Sequence, residues 1–147
     1  SAALISNHSD EDISELSEMA RSFGAHLGLA FQLLDDTLDF SGDSQKDTLL
    51  DLKNGQVNSV IYEWLVLNPE VFNAFKDGED IIDLFKEDGI EDCIATIRAQ
   101  ALSHLDQGRE LLSQMKAKLH GNVDQKTLDR GEKTLLFILK YLEDRKV

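Results

Sequence analysis

Proline occurs once in 147 residues and cysteine once, and each scarcity removes a class of structure. Proline is the strongest helix breaker, so a single Pro69 leaves long helices free to run. A lone Cys93 excludes an intrachain disulfide framework and every multi-cysteine zinc pattern, and is compatible with a reducing compartment. No apolar run reaches spanning length and no signal peptide is recognisable; the compartment stays open between cytoplasm and mitochondrion. The chain starts at Ser1 without a methionine, which suggests a processed or excised piece. Basic residues are also short, 15 Lys and Arg against 28 Asp and Glu, for a formal net charge of -13. Nucleic acid or an anionic membrane surface would be repelled, and any anionic ligand would need help from cations. What is present, 41% hydrophobic and 29% charged residues, suits a folded chain of one domain's size with no internal boundary.

Apolar residues recur at helical spacing almost throughout, which predicts an all-α chain. A first long helix is expected from Ser9, where Ser9 and Asp12 fit a capping box, to a turn at Ser41, Gly42 and Asp43. Lys46 to Gly55 reads as a polar connection or a helix start, and Val57 to Leu67 as a largely buried segment. Asn68 and Pro69 fit an N-cap and first helical position for a short helix through Phe75. Gly78 and Gly89 bracket another at Asp80 to Lys86. A long amphipathic helix from about Ile90 to Leu119 should stop at Gly121, and a last one should start near Asp124.

The informative stretch runs from Phe23 to Phe40. On a helix Asp35 and Asp39 are one turn apart, as are Asp36 and Asp39, so three carboxylates converge. Each like-charge pair of this kind costs an isolated helix roughly 0.2–0.5 kcal/mol unless a cation sits there. Oxygen-only ligands suit a hard divalent ion such as Mg2+. Gln32 lies one turn before Asp35 and Asp36 and can join the patch, while Gly24 and Gly28 would let another helix approach closely. The bare spacing leaves two readings open, a solvated acidic helix end and a divalent-metal site.

The same stretch resembles the second aspartate-rich motif of the trans-prenyl diphosphate synthases, GxxxGxAFQxxDDxLDF. Gly24, Gly28, Ala30, Phe31, Gln32, Asp35, Asp36, Leu38, Asp39 and Phe40 stand in the matching places. Downstream, Lys46, Asp51, Leu52 and Gly55 fit the spacing of the longer-chain branch, whereas Gln45 replaces a glycine, Asn58 a threonine and Val60 a proline. The resemblance implies an all-α isoprenoid-synthase-type helical bundle and a Mg2+-dependent prenyltransferase that joins isopentenyl diphosphate to an allylic diphosphate. It implies Asp35 as a direct metal ligand, Asp36 and Asp39 as ligands or holders of metal-bound water, Lys46 as a point charge on the diphosphate, and Gln32 as its orienting amide. Asp35 and Lys46 are the catalytic candidates.

The motif DDxxD occurs once here, whereas the family carries a second copy upstream and is roughly twice as long. Ser1 to Leu4 also resemble the residues that follow a substrate-binding lysine in the family. The chain is therefore expected to be the carboxyl-terminal half of a synthase, inactive without the amino-terminal half, and a homodimer or a subunit of a heteromeric enzyme. The alternative, supported by the departures at Gln45, Asn58 and Val60, is a non-catalytic regulatory or partner subunit.

Other candidates read as structural. Asp51 to Gly55 fails as a calcium loop, with its glycine in the fifth place and Tyr62 at the twelfth. The acidic run from Asp77 to Asp92 reads as a solvated face. His26 reads as a helix contact, and His8, His104 and His120 show no partner pattern. Cys93 shares a face with Ile90, Ile94 and Ile97 and reads as a buried thiol. Arg145 and Lys146 read as a mobile tail or a cap on an anionic site.

Overall fold

The computed structural model describes residues 10–40, 44–119 and 124–144. Among them are seven α-helices and no strand: α1 (Asp10–Leu38), α2 (Ser44–Lys53), α3 (Ser59–Leu67), α4 (Pro69–Lys76), α5 (Ile81–Leu84), α6 (Ile90–Leu119) and α7 (Gln125–Asp144). The all-α expectation holds. Ser1 to Ser9, with His8 and the proposed capping box, the turn at Ser41 to Asp43, His120, Gly121, Arg145 and Lys146 lie outside the described residues. None of the described helices is long and apolar enough to cross a membrane.

The described residues divide into two compact units, residues 10–31 with 102–119 and 124–144, and residues 32–40 with 44–101. Both dividing points fall inside a helix, after Phe31 in α1 and after Ala101 in α6, where an unbroken hydrophobic period gives no sign of them.

In the first unit, Leu16, Phe23, Leu105, Leu112, Leu139 and Leu142 are buried. A side chain at Gly108 would stand 3.7 Å from Phe23 and 3.8 Å from Leu139, so this glycine lies where α1, α6 and α7 meet. His26 of α1 and His104 of α6 stand with their Nδ1 atoms 2.9 Å apart. The helix-contact reading of His26 is thereby given a partner, and His104 has one after all. The two lie 78 positions apart, so no local spacing could announce the pair.

The second unit holds the larger core, in which Phe40, Leu49, Leu52, Val60, Ile61, Trp64, Leu65, Ile81, Ile90, Cys93 and Ile97 cluster. Segment 46–55, read as connection or helix start, lies mostly in α2, which buries Thr48, Leu49 and Leu52. Gly55 then takes φ +86°, a left-handed conformation available cheaply only to glycine, and the chain turns from α2 toward α3. Trp64 donates its indole N–H to the Asp88 carbonyl at 3.1 Å and packs on Phe85. Asn68 and Pro69 take the expected N-cap and first positions of α4, with the Asn68 carbonyl accepting from the Phe72 N–H at 3.0 Å. The Asn68 side chain makes no cap bond to α4 and donates to the Trp64 carbonyl at 2.8 Å, closing the end of α3.

Candidate functional site

The acidic motif occupies the last turn of α1 and the residues just after it, in the second unit. Asp36 is buried, Asp35 is half-buried and Asp39 is exposed. The three carboxylates therefore meet three environments: Asp35 and Asp36 stand about 100° apart around the helix axis, and Asp39 follows the last residue of α1.

Asp36 faces the start of α3. Its Oδ2 accepts from the Ser59 backbone N–H at 3.0 Å and from the Ser59 hydroxyl at 2.6 Å, and its Oδ1 from the Gln32 amide at 3.2 Å. Asn58, extended at φ -96° and ψ 137°, caps the same helix: its Oδ1 accepts from Val60 N–H at 2.7 Å and Ile61 N–H at 3.4 Å. A helix start leaves four N–H groups without intrahelical partners. Of these, Asp36 takes the Ser59 N–H and the Asn58 side chain those of Val60 and Ile61; the Tyr62 N–H then makes the first helical bond, to the Asn58 carbonyl at 3.0 Å. The positive end of the helix dipole faces the buried Asp36 carboxylate.

The return contacts run from Asn58 to α1. Its Nδ2 donates to the Asp36 carbonyl at 3.0 Å and to Asp39 Oδ2 at 3.4 Å. Thr48 donates to the Asp39 carbonyl at 3.1 Å. Partial desolvation by the surrounding cleft pushes the Asp39 carboxyl above the usual carboxylate range although it is exposed at the surface, and the charges of Asp36, Asp35 and Asp51 push the same way, against the single lowering contact from Asn58.

Gln32, Asp36, Asp39, Thr48, Asp51, Gln56, Val57 and Asn58 line an open cleft of about 330 Å³. The structure thus brings together Gln32, Asp36 and Asp39 of the candidate residues and adds Asp51. Asp35 and Lys46 do not line it, and Lys46 is exposed on the first turn of α2. Asn58 was missed as a site residue, although an Asn directly before an apolar helical run is a recognisable cap signal; Ser59, outside the cleft lining, is the structural anchor of Asp36.

Among the described residues no group of three or more His, Cys, Asp or Glu is placed to hold a metal by protein ligands alone. The donor set still fits magnesium. That ion is usually held by one or two carboxylates together with waters and substrate phosphates, and the cleft offers carboxylate, amide and hydroxyl oxygens with no basic lining residue.

Residues 1–97 match the polyprenyl synthetase family model. The chain is similar to a mitochondrial solanesyl-diphosphate synthase of Oryza sativa subsp. japonica, 32% identical over 81 residues, which are 53% of this chain and 18% of that protein. It is similar to a chloroplastic/mitochondrial solanesyl diphosphate synthase of Arabidopsis thaliana, 44% identical over 50 residues, covering 32% and 12%. A prenyl transferase of Cyanophora paradoxa is 34% identical over 76 residues, covering 45% and 24%. The chain thus matches no more than about a quarter of the length of these curated relatives. No solved structure matches it.

Proposed function

The chain belongs to the polyprenyl synthetase family, and on that premise we propose that it is the diphosphate-binding, metal-holding part of a prenyl diphosphate synthase. The full protein would extend an allylic diphosphate with isopentenyl diphosphate, and the remainder of the active site would come from an amino-terminal half. The observation that carries this reading is the cleft. Two aspartates of a family-like motif, Asp36 and Asp39, line it with Asp51, facing the neutral amides of Gln32, Gln56 and Asn58 and the Thr48 hydroxyl.

Asp35 and Asp39 are the proposed magnesium ligands. Bound there, the ion would supply Lewis-acid neutralisation of the charge that builds on a departing diphosphate. The protein's own part is positional. Asn58 and Thr48 fix Asp39 at its carboxylate and its carbonyl, and Gln32 braces Asp36. Lys46, exposed near the start of α2, would add a point charge toward the diphosphate.

The test is an elongation assay on the full-length protein with magnesium, an allylic diphosphate and labelled isopentenyl diphosphate. Elongation that Asp35→Ala and Asp39→Ala each abolish is expected; a wild-type protein that elongates nothing would refute the enzymatic reading. The second reading, a non-catalytic subunit, is favoured by one observation, that Lys46 stands outside the cleft. In that case activity would appear only on co-expression with a catalytic partner and would survive Asp39→Ala.

A further inference from the structure

Asn58 makes a set of bonds that one threonine or serine hydroxyl, with a single donor hydrogen, could not make. It is 5% exposed, and its amide group spends both ends. The oxygen caps α3 at Val60 and Ile61, while the nitrogen, which carries two N–H bonds, reaches the Asp36 carbonyl and the Asp39 carboxylate. The carboxylate of Asp36 answers in the opposite direction by accepting from Ser59. The two bridges are reciprocal, so the end of α1 and the start of α3 are held in one register.

We infer that Asn58 is a positioning residue for the Asp39 carboxylate, and that through it the start of α3 sets how readily the cleft takes up a magnesium-bound diphosphate. Asp39 follows the last residue of α1, and its backbone N–H bonds the Asp35 carbonyl at 3.2 Å. The helix ladder therefore fixes its main chain, but an exposed side chain at a helix end keeps its rotamer freedom. The Asn58 amide restricts that freedom before a ligand arrives, which lowers the ordering cost of binding. This inference rests on the reading of Asp39 as a magnesium ligand.

The experiment uses the full-length protein with inorganic pyrophosphate as the probe. Calorimetry gives the magnesium concentration for half-maximal pyrophosphate binding, and thermal unfolding gives Tm. Asn58→Thr and Asn58→Ser both keep a cap oxygen and lose the amide, so either serves if the other folds poorly. Each should raise the half-saturating magnesium at least fivefold. Ser59→Ala, which removes the hydroxyl bond to Asp36 but leaves the amide in place, should lower Tm and keep the wild-type magnesium requirement. A magnesium requirement unchanged in the Asn58 variants overturns the inference, as does one that merely follows Tm across all three variants. Asp39→Asn separates this from the functional reading: if it binds magnesium pyrophosphate like wild type, the proposed function fails; if it loses binding while the Asn58 variants do not change, only the positioning role fails.

Discussion

Replacing Asp36 by alanine should destabilise the second unit by about 2 kcal/mol, although the change removes a negative charge from an acidic cluster. The Asp36 carboxylate accepts two bonds from Ser59, at 3.0 and 2.6 Å, on one buried oxygen. Hydrogen bonds to a charged group contribute about 1.5–3 kcal/mol each. Two donors from one residue to one oxygen are not independent, so together they count for roughly 2 kcal/mol. The third bond, from the exposed Gln32, adds about 0.5 kcal/mol. Relief of repulsion with Asp39 returns about 0.2–0.5 kcal/mol. The balance stays near 2 kcal/mol, or roughly 4–8 °C in Tm for a chain of this size. Trp64, the only tryptophan, is 3% exposed in the core of the same unit and reports the event. Urea unfolding followed by its fluorescence, in EDTA so that no metal contributes, measures the difference. A midpoint equal to wild type, or higher, would refute the assignment of Asp36 as the anchor of α3.

Asp39→Asn should act with the opposite sign. In EDTA it should raise stability by about 0.2–0.5 kcal/mol for each like-charged neighbour one turn away, because the Asp39 carboxyl is held above its usual range by partial desolvation and then by the Asp36 charge; a fall in the urea midpoint would contradict this. Gly28→Ala should add about 0.8–1.0 kcal/mol, since glycine inside a helix is poor by that amount and the new methyl would meet nothing within 4 Å. A destabilised Gly28→Ala chain would instead reveal a helix packed closely on that face, as the glycine spacing alone suggests. Asp80 lies below the ordinary carboxylate range because it accepts from the Ile82 N–H and, second, from Lys53. Its contribution to stability is therefore complete above its unfolded value of 3.8 and is lost as pH falls through the lower native value. Acid titration of stability should flatten in that range in Asp80→Asn, and an unchanged acid limb would count against the contact.

The helices were readable where one face of a long segment is apolar. The bounds of α6, Ile90 to Leu119, agree with expectation because Ile90, Ile97 and Leu105 repeat at helical spacing and all become buried. The short elements were less readable, since their faces are decided by what they pack on. Within α2, Leu49 and Leu52 are buried but Leu50 remains exposed, a choice that one turn of sequence cannot announce. Asn68 serves both neighbours, its carbonyl opening α4 at Phe72 as its position before Pro69 announces, and its side chain closing α3 on the Trp64 carbonyl, which the sequence does not announce.

The site shows the same division. The motif puts Asp35, Asp36 and Asp39 on an equal footing, and the fold separates them through Asn58 and Ser59, about 20 residues downstream. That separation also gives the overall charge of -13 a local meaning. A cleft lined by Asp36, Asp39 and Asp51, with no basic residue in its lining, repels a bare diphosphate. It also lacks the three protein ligands that would retain a bare divalent ion among the described residues. Neither partner alone satisfies it. On the proposed reading the two together would, because diphosphate oxygens would add to the ligands of the ion and the ion would offset the repulsion between diphosphate and carboxylates. Metal and diphosphate should therefore bind as a coupled pair, each raising the affinity for the other by the same factor, as reciprocal linkage requires.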